Sequence, residues 1–139
     1  MPKAIRLYEH GGAEVLRWED VELPAVGAHE VLVRHTAIGL NFSDVYRRTG
    51  LYPGPLPSVK SSEATGIVEQ VGRRVTGLRR GQVVGYVLSS AQGAYATERV
   101  LCADALVKIP AGISDEQAAA MLLKALTSWY VLRRTHRVS

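Results

Sequence analysis

The chain has 139 residues, of which 47% are hydrophobic and 22% charged, a globular composition that excludes disorder, collagen and coiled coil as overall classes. That length accommodates one domain and little more. Lys and Arg number 17 against 13 Asp and Glu, and the resulting net charge of +4 permits an anionic partner without demanding one.

Through the first hundred residues, short β-prone runs alternate with turn residues, the pattern of an all-β barrel or sandwich. Strands are predicted over 3–8, 15–21, 30–40, 64–71, 82–88 and 94–101, separated by breakers such as Gly11-Gly12, Gly72 and Gly93. In the third run Val31, Val33 and His35 share one face while Leu32, Arg34 and Thr36 share the other, so one face belongs to the core and the other is partly wet. Residues 41–50 read as a short helix, capped by Asn41 or Ser43 and ended by Gly50 in the left-handed conformation. A loop rich in proline follows. Ser114-Asp115-Glu116-Gln117 has the spacing of a capping box and precedes a helix-favouring run. A helix from 115 to about 134 would be roughly 30 Å long at ~1.5 Å per residue. Met121, Leu122, Ala125, Trp129 and Leu132 would form a broad apolar stripe along it. A small barrel covers only part of such a stripe, and the chain reaches Ser139 with neither a breaker nor a closing strand, so the sequence reads as truncated.

The residues by themselves support little chemistry. His10, His29, His35 and His136 are scattered, with no His or Cys partner at a ligand spacing, so no metal is expected. With Cys102 as the single cysteine there is no intrachain disulfide, and a reducing, cytoplasmic setting fits best. No apolar run approaches the ~20 residues of a spanning helix. Neither a Gly-x-Ser-x-Gly elbow nor a Gly-x-Gly-x-x-Gly or Walker loop occurs. One segment, Asn41 to Pro53, has more polar and aromatic groups than a connector requires. Structurally, Asn41 would cap the helix, Asp44 would favour its positive end, and Tyr46 and Tyr52 would pack their rings at the surface.

That segment also carries a resemblance. Ala37-Ile38-Gly39-Leu40-Asn41-Phe42-Ser43-Asp44 and Arg48-Thr49-Gly50-Leu51-Tyr52-Pro53 resemble the quinone oxidoreductases, the zeta-crystallin-like, zinc-independent branch of the medium-chain dehydrogenase/reductase superfamily. His10-Gly11-Gly12, Ser62-Glu63-Ala64-Thr65-Gly66, Gly93-Ala94-Tyr95-Ala96 and Leu106-Val107-Lys108-Ile109-Pro110 fall in the order of that family, so the resemblance covers essentially the whole chain. It implies a mainly β fold with helices. Residues 1–113 would form a GroES-like, partly open β-barrel, the catalytic domain, and residues 114–139 a long helix crossing toward a Rossmann domain that is missing here. It further implies an NADPH-dependent reductase of quinones, homodimeric when complete. Asn41, Tyr46 and Tyr52 would be its catalytic residues, and Asn41, Asp44, Tyr46 and Thr127 would line the cofactor. The fragment alone is expected to be inactive, to bind NADPH weakly or not at all, and to be able to self-associate through its helix. Where the zinc-dependent branch has Cys and a Gly-His-Glu segment, this chain has Asn41 and Ser61-Ser62-Glu63, in agreement with the absence of metal ligands. Three residues depart from the family pattern. Ser61 and Ala125 stand where Gly is common, and Lys60 brings a charge close to the expected cleft.

Two other readings compete. A non-catalytic β-barrel interaction module is consistent with the missing cofactor domain, and a downstream Gly-rich strand-turn-helix would argue against it. Nucleic-acid binding would rest on Arg73-Arg74, Arg79-Arg80 and Arg133-Arg134, but these pairs lack an aromatic stacking platform and read as a solvated surface.

Overall fold

A computed structural model of the chain describes residues 1–88 and 92–136; the last three residues of the run to Ser139 lie outside the described part. In chain order the strands are β1 (Lys3–Leu7), β2 (Leu16–Asp20), β3 (Glu30–Ile38), β4 (Ser58–Val59), β5 (Glu63–Val71), β6 (Val83–Val87), β7 (Glu98–Cys102) and β8 (Val107–Lys108). Helix α1 (Phe42–Thr49) lies between β3 and β4, and α2 (Asp115–Tyr130) follows β8. The strands form two antiparallel sheets, a three-stranded one in the order β2-β1-β4 and a five-stranded one in the order β7-β3-β5-β6-β8. The sheets do not close into a continuous cylinder, and the result is a mainly β, partly open barrel with a C-terminal helix.

The alternation read along the third strand holds. Val31 and Val33 are fully buried, and with Val68, Val84 and Leu101 they form the core on one face of the five-stranded sheet, while Arg34 and Thr36 are exposed. Gly66 sits opposite His35 in the β3–β5 ladder, where a Cβ would collide with the Arg34 carbonyl. Gly85 gives similar room to Leu122, whose side chain packs against β6.

The predicted strand over 94–101 is corrected. Glu98–Cys102 pairs with β3, the Thr97 carbonyl still accepts from His35 N–H at 2.8 Å, and the residues before it cross to the other sheet. Tyr95 N–H donates to the Lys60 carbonyl at 3.0 Å, and its own carbonyl accepts from Ile5 N–H at 2.8 Å. Thr97 N–H donates to the Lys3 carbonyl at 2.8 Å. One β-prone run therefore serves two sheets, which alternation alone does not reveal. The pairs β4 and β8, two residues each, were not predicted, since so short a strand has no period to read. Helix α2 starts with the predicted capping box, Gln117 N–H to Ser114 Oγ at 3.2 Å and Ser114 N–H to Gln117 Oε1 at 3.0 Å. It stays regular to Tyr130 and continues as one wider turn over Val131–Thr135, closed by His136 N–H on the Val131 carbonyl at 2.9 Å.

Within β3, the His35 side chain is held by two bonds that define its tautomer. Nδ1–H donates to the Ala96 carbonyl at 2.6 Å, leaving Nε2 to accept from the Tyr86 hydroxyl at 2.9 Å. Arg99 Nη1 donates to that hydroxyl at 3.4 Å. Burial, aided by the Arg99 charge, holds His35 below the usual histidine value. Below the ordinary histidine pKa of about 6.5 the unfolded chain therefore takes up a proton that the folded chain refuses. Stability from this group is fully present above about pH 6.5 and declines at up to ~1.4 kcal/mol per pH unit as the pH falls toward the folded-state pKa. Urea unfolding at pH 7.5, 6.0 and 5.0 should show this decline, and His35→Asn should flatten it. An identical decline in the variant would assign the acid sensitivity to carboxylates.

Candidate functional site

The end of β3, the start of β5 and the middle of α2 converge on Asn41. This residue occupies the N-cap position of α1 with extended backbone, but the reciprocal part of the cap comes from Asp44, whose Oδ2 accepts from the Asn41 backbone N–H at 2.9 Å. The Asn41 amide is turned the other way. Its Nδ2 donates to Glu63 Oε2 at 2.9 Å, and its Oδ1 accepts from Lys124 Nζ at 3.1 Å. A carboxylate only accepts and an ammonium only donates, so these two neighbours fix the amide orientation. Glu63 is fully buried, and its Oε1 accepts the backbone N–H of Leu123, inside α2, at 2.6 Å. Gly39 makes this approach possible, because a Cβ there would lie 2.5 Å from Glu63 Oε2 and 2.6 Å from the Ala119 carbonyl.

Asp44 is also buried, and its Oδ2 accepts a second bond from the Tyr95 hydroxyl at 3.2 Å. Burial, reinforced by the Asp44 carboxylate, pushes the Tyr95 hydroxyl well above its ordinary pKa, so it remains a donor. Asp44 thus ties α1 to the crossing segment. Tyr46 and Tyr52 form an edge-to-face pair with ring centroids 5.3 Å apart, secured by Tyr52 N–H on the Tyr46 carbonyl at 3.0 Å. Phe42 joins the cluster at 5.7 Å from Tyr46. Gly50, at φ 85°, ends α1 in the left-handed conformation and turns the chain back toward Tyr52. Thr127 lies one turn beyond Lys124; its hydroxyl donates to the Leu123 carbonyl at 2.7 Å, and it lines a shallow hollow of about 370 Å³ with Leu126, Trp129 and Tyr130.

Asn41 and Asp44 are therefore joined in one hydrogen-bonded group, and Tyr46 and Tyr52 in one ring pair. Thr127 shares no hydrogen bond with either among the described residues. Sequence reasoning missed three residues of this arrangement: Glu63, Lys124 and Tyr95. One signal was present, since Lys124 precedes Thr127 by three residues and so shares its helix face. Ser61, at φ 66°, does adopt the left-handed conformation that favours glycine. It is fully buried, and its Oγ donates to the Gly39 carbonyl at 2.9 Å. Among the described residues no group of three or more His, Cys, Asp and Glu side chains gathers in a way that could hold a metal ion.

Residues 27–111 match the model of the alcohol dehydrogenase GroES-like domain. The chain belongs to that family. Within it, this GroES-like chain is 48% identical over 139 residues to a quinone oxidoreductase of Pseudomonas aeruginosa, covering 99% of the chain and 42% of the relative. A quinone oxidoreductase structure from Pseudomonas syringae pv. tomato superposes with a TM-score of 0.93 at 47% identity, covering 100% of this chain and 43% of that one. The Escherichia coli quinone oxidoreductase solved in complex with NADPH gives a TM-score of 0.93 at 43% identity, covering 99% of this chain and 42% of that one. The GroES-like chain thus spans less than half the length of these relatives.

Proposed function

We propose that the chain is the N-terminal catalytic portion of an NADPH-dependent quinone oxidoreductase, with residues 1–113 as the catalytic domain and 114–139 as the helix crossing toward a nucleotide-binding domain. The observation that carries this reading is the likeness, over essentially the whole chain, to a quinone oxidoreductase solved with NADPH. Local chemistry supports it. Tyr46 and Tyr52 offer ring faces to a flat substrate and hydroxyls to a carbonyl oxygen. Lys124, fixed on one side by Asn41, keeps further N–H donors for an oxygen that gains negative charge. The Asn41 amide, with both ends already bonded to protein, acts in this reading as the brace that aims Lys124, and it retains one N–H and one lone pair for the cofactor. When bound, NADPH would supply the hydride. Asn41, Asp44, Tyr46 and Thr127 would border its nicotinamide end. These 139 residues contain no phosphate-cradling glycine loop, so the reading assigns most cofactor affinity, and the activity itself, to the two-domain protein.

In this reading the whole enzyme is a cytoplasmic homodimer, for which the single Cys102 is suited to a reducing compartment. Among the described residues no helix is long and apolar enough to cross a membrane. The test is a chimera in which residues 1–136 replace the matching segment of the Pseudomonas aeruginosa relative, assayed by oxidation of NADPH with 1,4-benzoquinone. The chimera should turn over, and Tyr52→Ala within it should lower kcat/KM by about tenfold, roughly 1.4 kcal/mol of transition-state stabilisation, with little change in Tm. A folded chimera without turnover would favour a non-catalytic module, and unchanged kinetics in the variant would leave Tyr52 as loop packing.

A further inference from the structure

A cavity of about 270 Å³ lies between the end of α1, the proline loop, β4 and Gln92. Pro53, Pro55 and Val59 give it an apolar side, while Arg47, Ser58, Lys60 and Gln92 line the other. Lys60 is the unusual member. It is 5% exposed, and among the described residues no carboxylate lies within ion-pair distance of its ammonium. Lysine is almost never buried without a partner, because desolvating the charge is costly. That burial, together with the Arg47 charge nearby, holds Lys60 below the usual lysine value. A second observation points into the same space. Ser58 Oγ and both amide atoms of Gln92 are buried with no hydrogen-bond partner among the described residues. Native structures leave few such groups unpaired, and here three atoms of two side chains line one cavity beside two cations.

A ligand that pairs with Lys60, Ser58 Oγ and Gln92 Nε2 must accept hydrogen bonds and carry negative charge; of the unpaired atoms only Gln92 Oε1, an acceptor, calls for a donor. The volume argues for more than an inorganic ion, since a cavity of about 150 Å³ is enough to hold benzene. We propose that the cavity binds a small organic carboxylate. Its oxygens accept from Lys60 Nζ, Ser58 Oγ and Gln92 Nε2, Arg47 adds a second positive charge, and its apolar body rests on Pro53, Pro55 and Val59. None of Asn41, Tyr46, Tyr52 and Thr127 lines this cavity, so binding can be read without quinone turnover.

Titration calorimetry on the 139-residue chain at pH 7 tests it with three probes: benzoate, its neutral isostere benzamide, and inorganic phosphate. Benzoate should bind at least tenfold more tightly than either of the others. Lys60→Met, which keeps the side-chain length and removes the buried charge, should weaken benzoate at least tenfold without lowering Tm. Gln92→Leu should also weaken it, and provides the same comparison should Lys60→Met fail to fold. Equal benzoate affinity in both variants, or no benzoate binding at millimolar concentration, would overturn the site. Phosphate binding as tight as benzoate would overturn its assignment to an organic carboxylate.

Discussion

Glu63→Ala should lower the unfolding free energy by about 2 to 5 kcal/mol, because two donors lose a buried acceptor and a void is left behind. The side chain is fully buried, and each carboxylate oxygen serves a different element, Asn41 on the way into α1 and the Leu123 backbone in α2. Alanine takes the acceptor from both donors, at ~1 to 3 kcal/mol each, and leaves a void beside Gly39. Glu63→Gln should cost less, about 1 to 3 kcal/mol, for a separate reason. One oxygen becomes an NH₂ group, so either Leu123 N–H or the Asn41 amide faces a donor. If Asn41 turned over to accommodate it, its own NH₂ would meet the Lys124 ammonium. Lys124→Ala, at an exposed position, should cost under ~1 kcal/mol. Urea unfolding of the three variants at pH 7 measures this order. A Glu63→Ala protein within about 1 kcal/mol of the parent would show that Asn41 and Leu123 find other partners, and the brace that aims Lys124 would lose its physical basis.

At tens of micromolar the 139-residue chain should associate with a second copy of itself through α2 and the turn after it. The sequence places Met121, Leu122, Ala125, Trp129 and Leu132 in one stripe, but the fold divides them. Leu122 packs inward over Gly85, whereas Met121 is 57% exposed, Trp129 55% and Leu132 48%. Between this face and Val107, Ile109, Pro110 and Ile113 runs an apolar groove of about 380 Å³. Leaving even ~300 Å² of such surface wet forgoes on the order of 7 kcal/mol at ~25 cal/mol per Å², enough to offset much of the entropy lost on pairing. A net charge of +4 opposes pairing only weakly, since at physiological salt the screening length is about 8 Å. Light scattering should therefore give a mass that rises with concentration, and Trp129→Ser combined with Leu132→Lys should weaken association by at least ~100-fold, about 2.7 kcal/mol. A clean monomer for the unmodified chain would mean that this face is satisfied within one molecule.

The sequence by itself determined whatever depends on neighbours within a few positions. Ser114 and Gln117 specify the start of α2, Gly50 specifies the end of α1, and Val31 and Val33 specify the buried face of β3, because caps, left-handed turns and pleats are local geometry. The strings around Asn41 and Ser62-Glu63 made the family legible for a related reason, since each preserves a local arrangement in a fixed order. The tertiary structure alone decided the partners. Asn41 meets Glu63 across 22 positions and Lys124 across 83, and no local pattern distinguishes an asparagine that caps its helix from one whose amide is drawn away by a buried carboxylate and an ammonium. The run through Ala94 divides between two sheets at Thr97, whose N–H donates to the Lys3 carbonyl while its own carbonyl accepts from His35 N–H, a switch set by where the strands pack. Ser61 holds a backbone conformation that favours glycine amid bonds to distant segments, its Oγ on the Gly39 carbonyl and its own carbonyl accepting from Gly93 and Ala94 N–H. Propensity is a weak term of tenths of a kcal/mol to ~1 kcal/mol per residue. Long-range burial and paired polar groups amount to several times that at a single position, so they prevail wherever the two disagree.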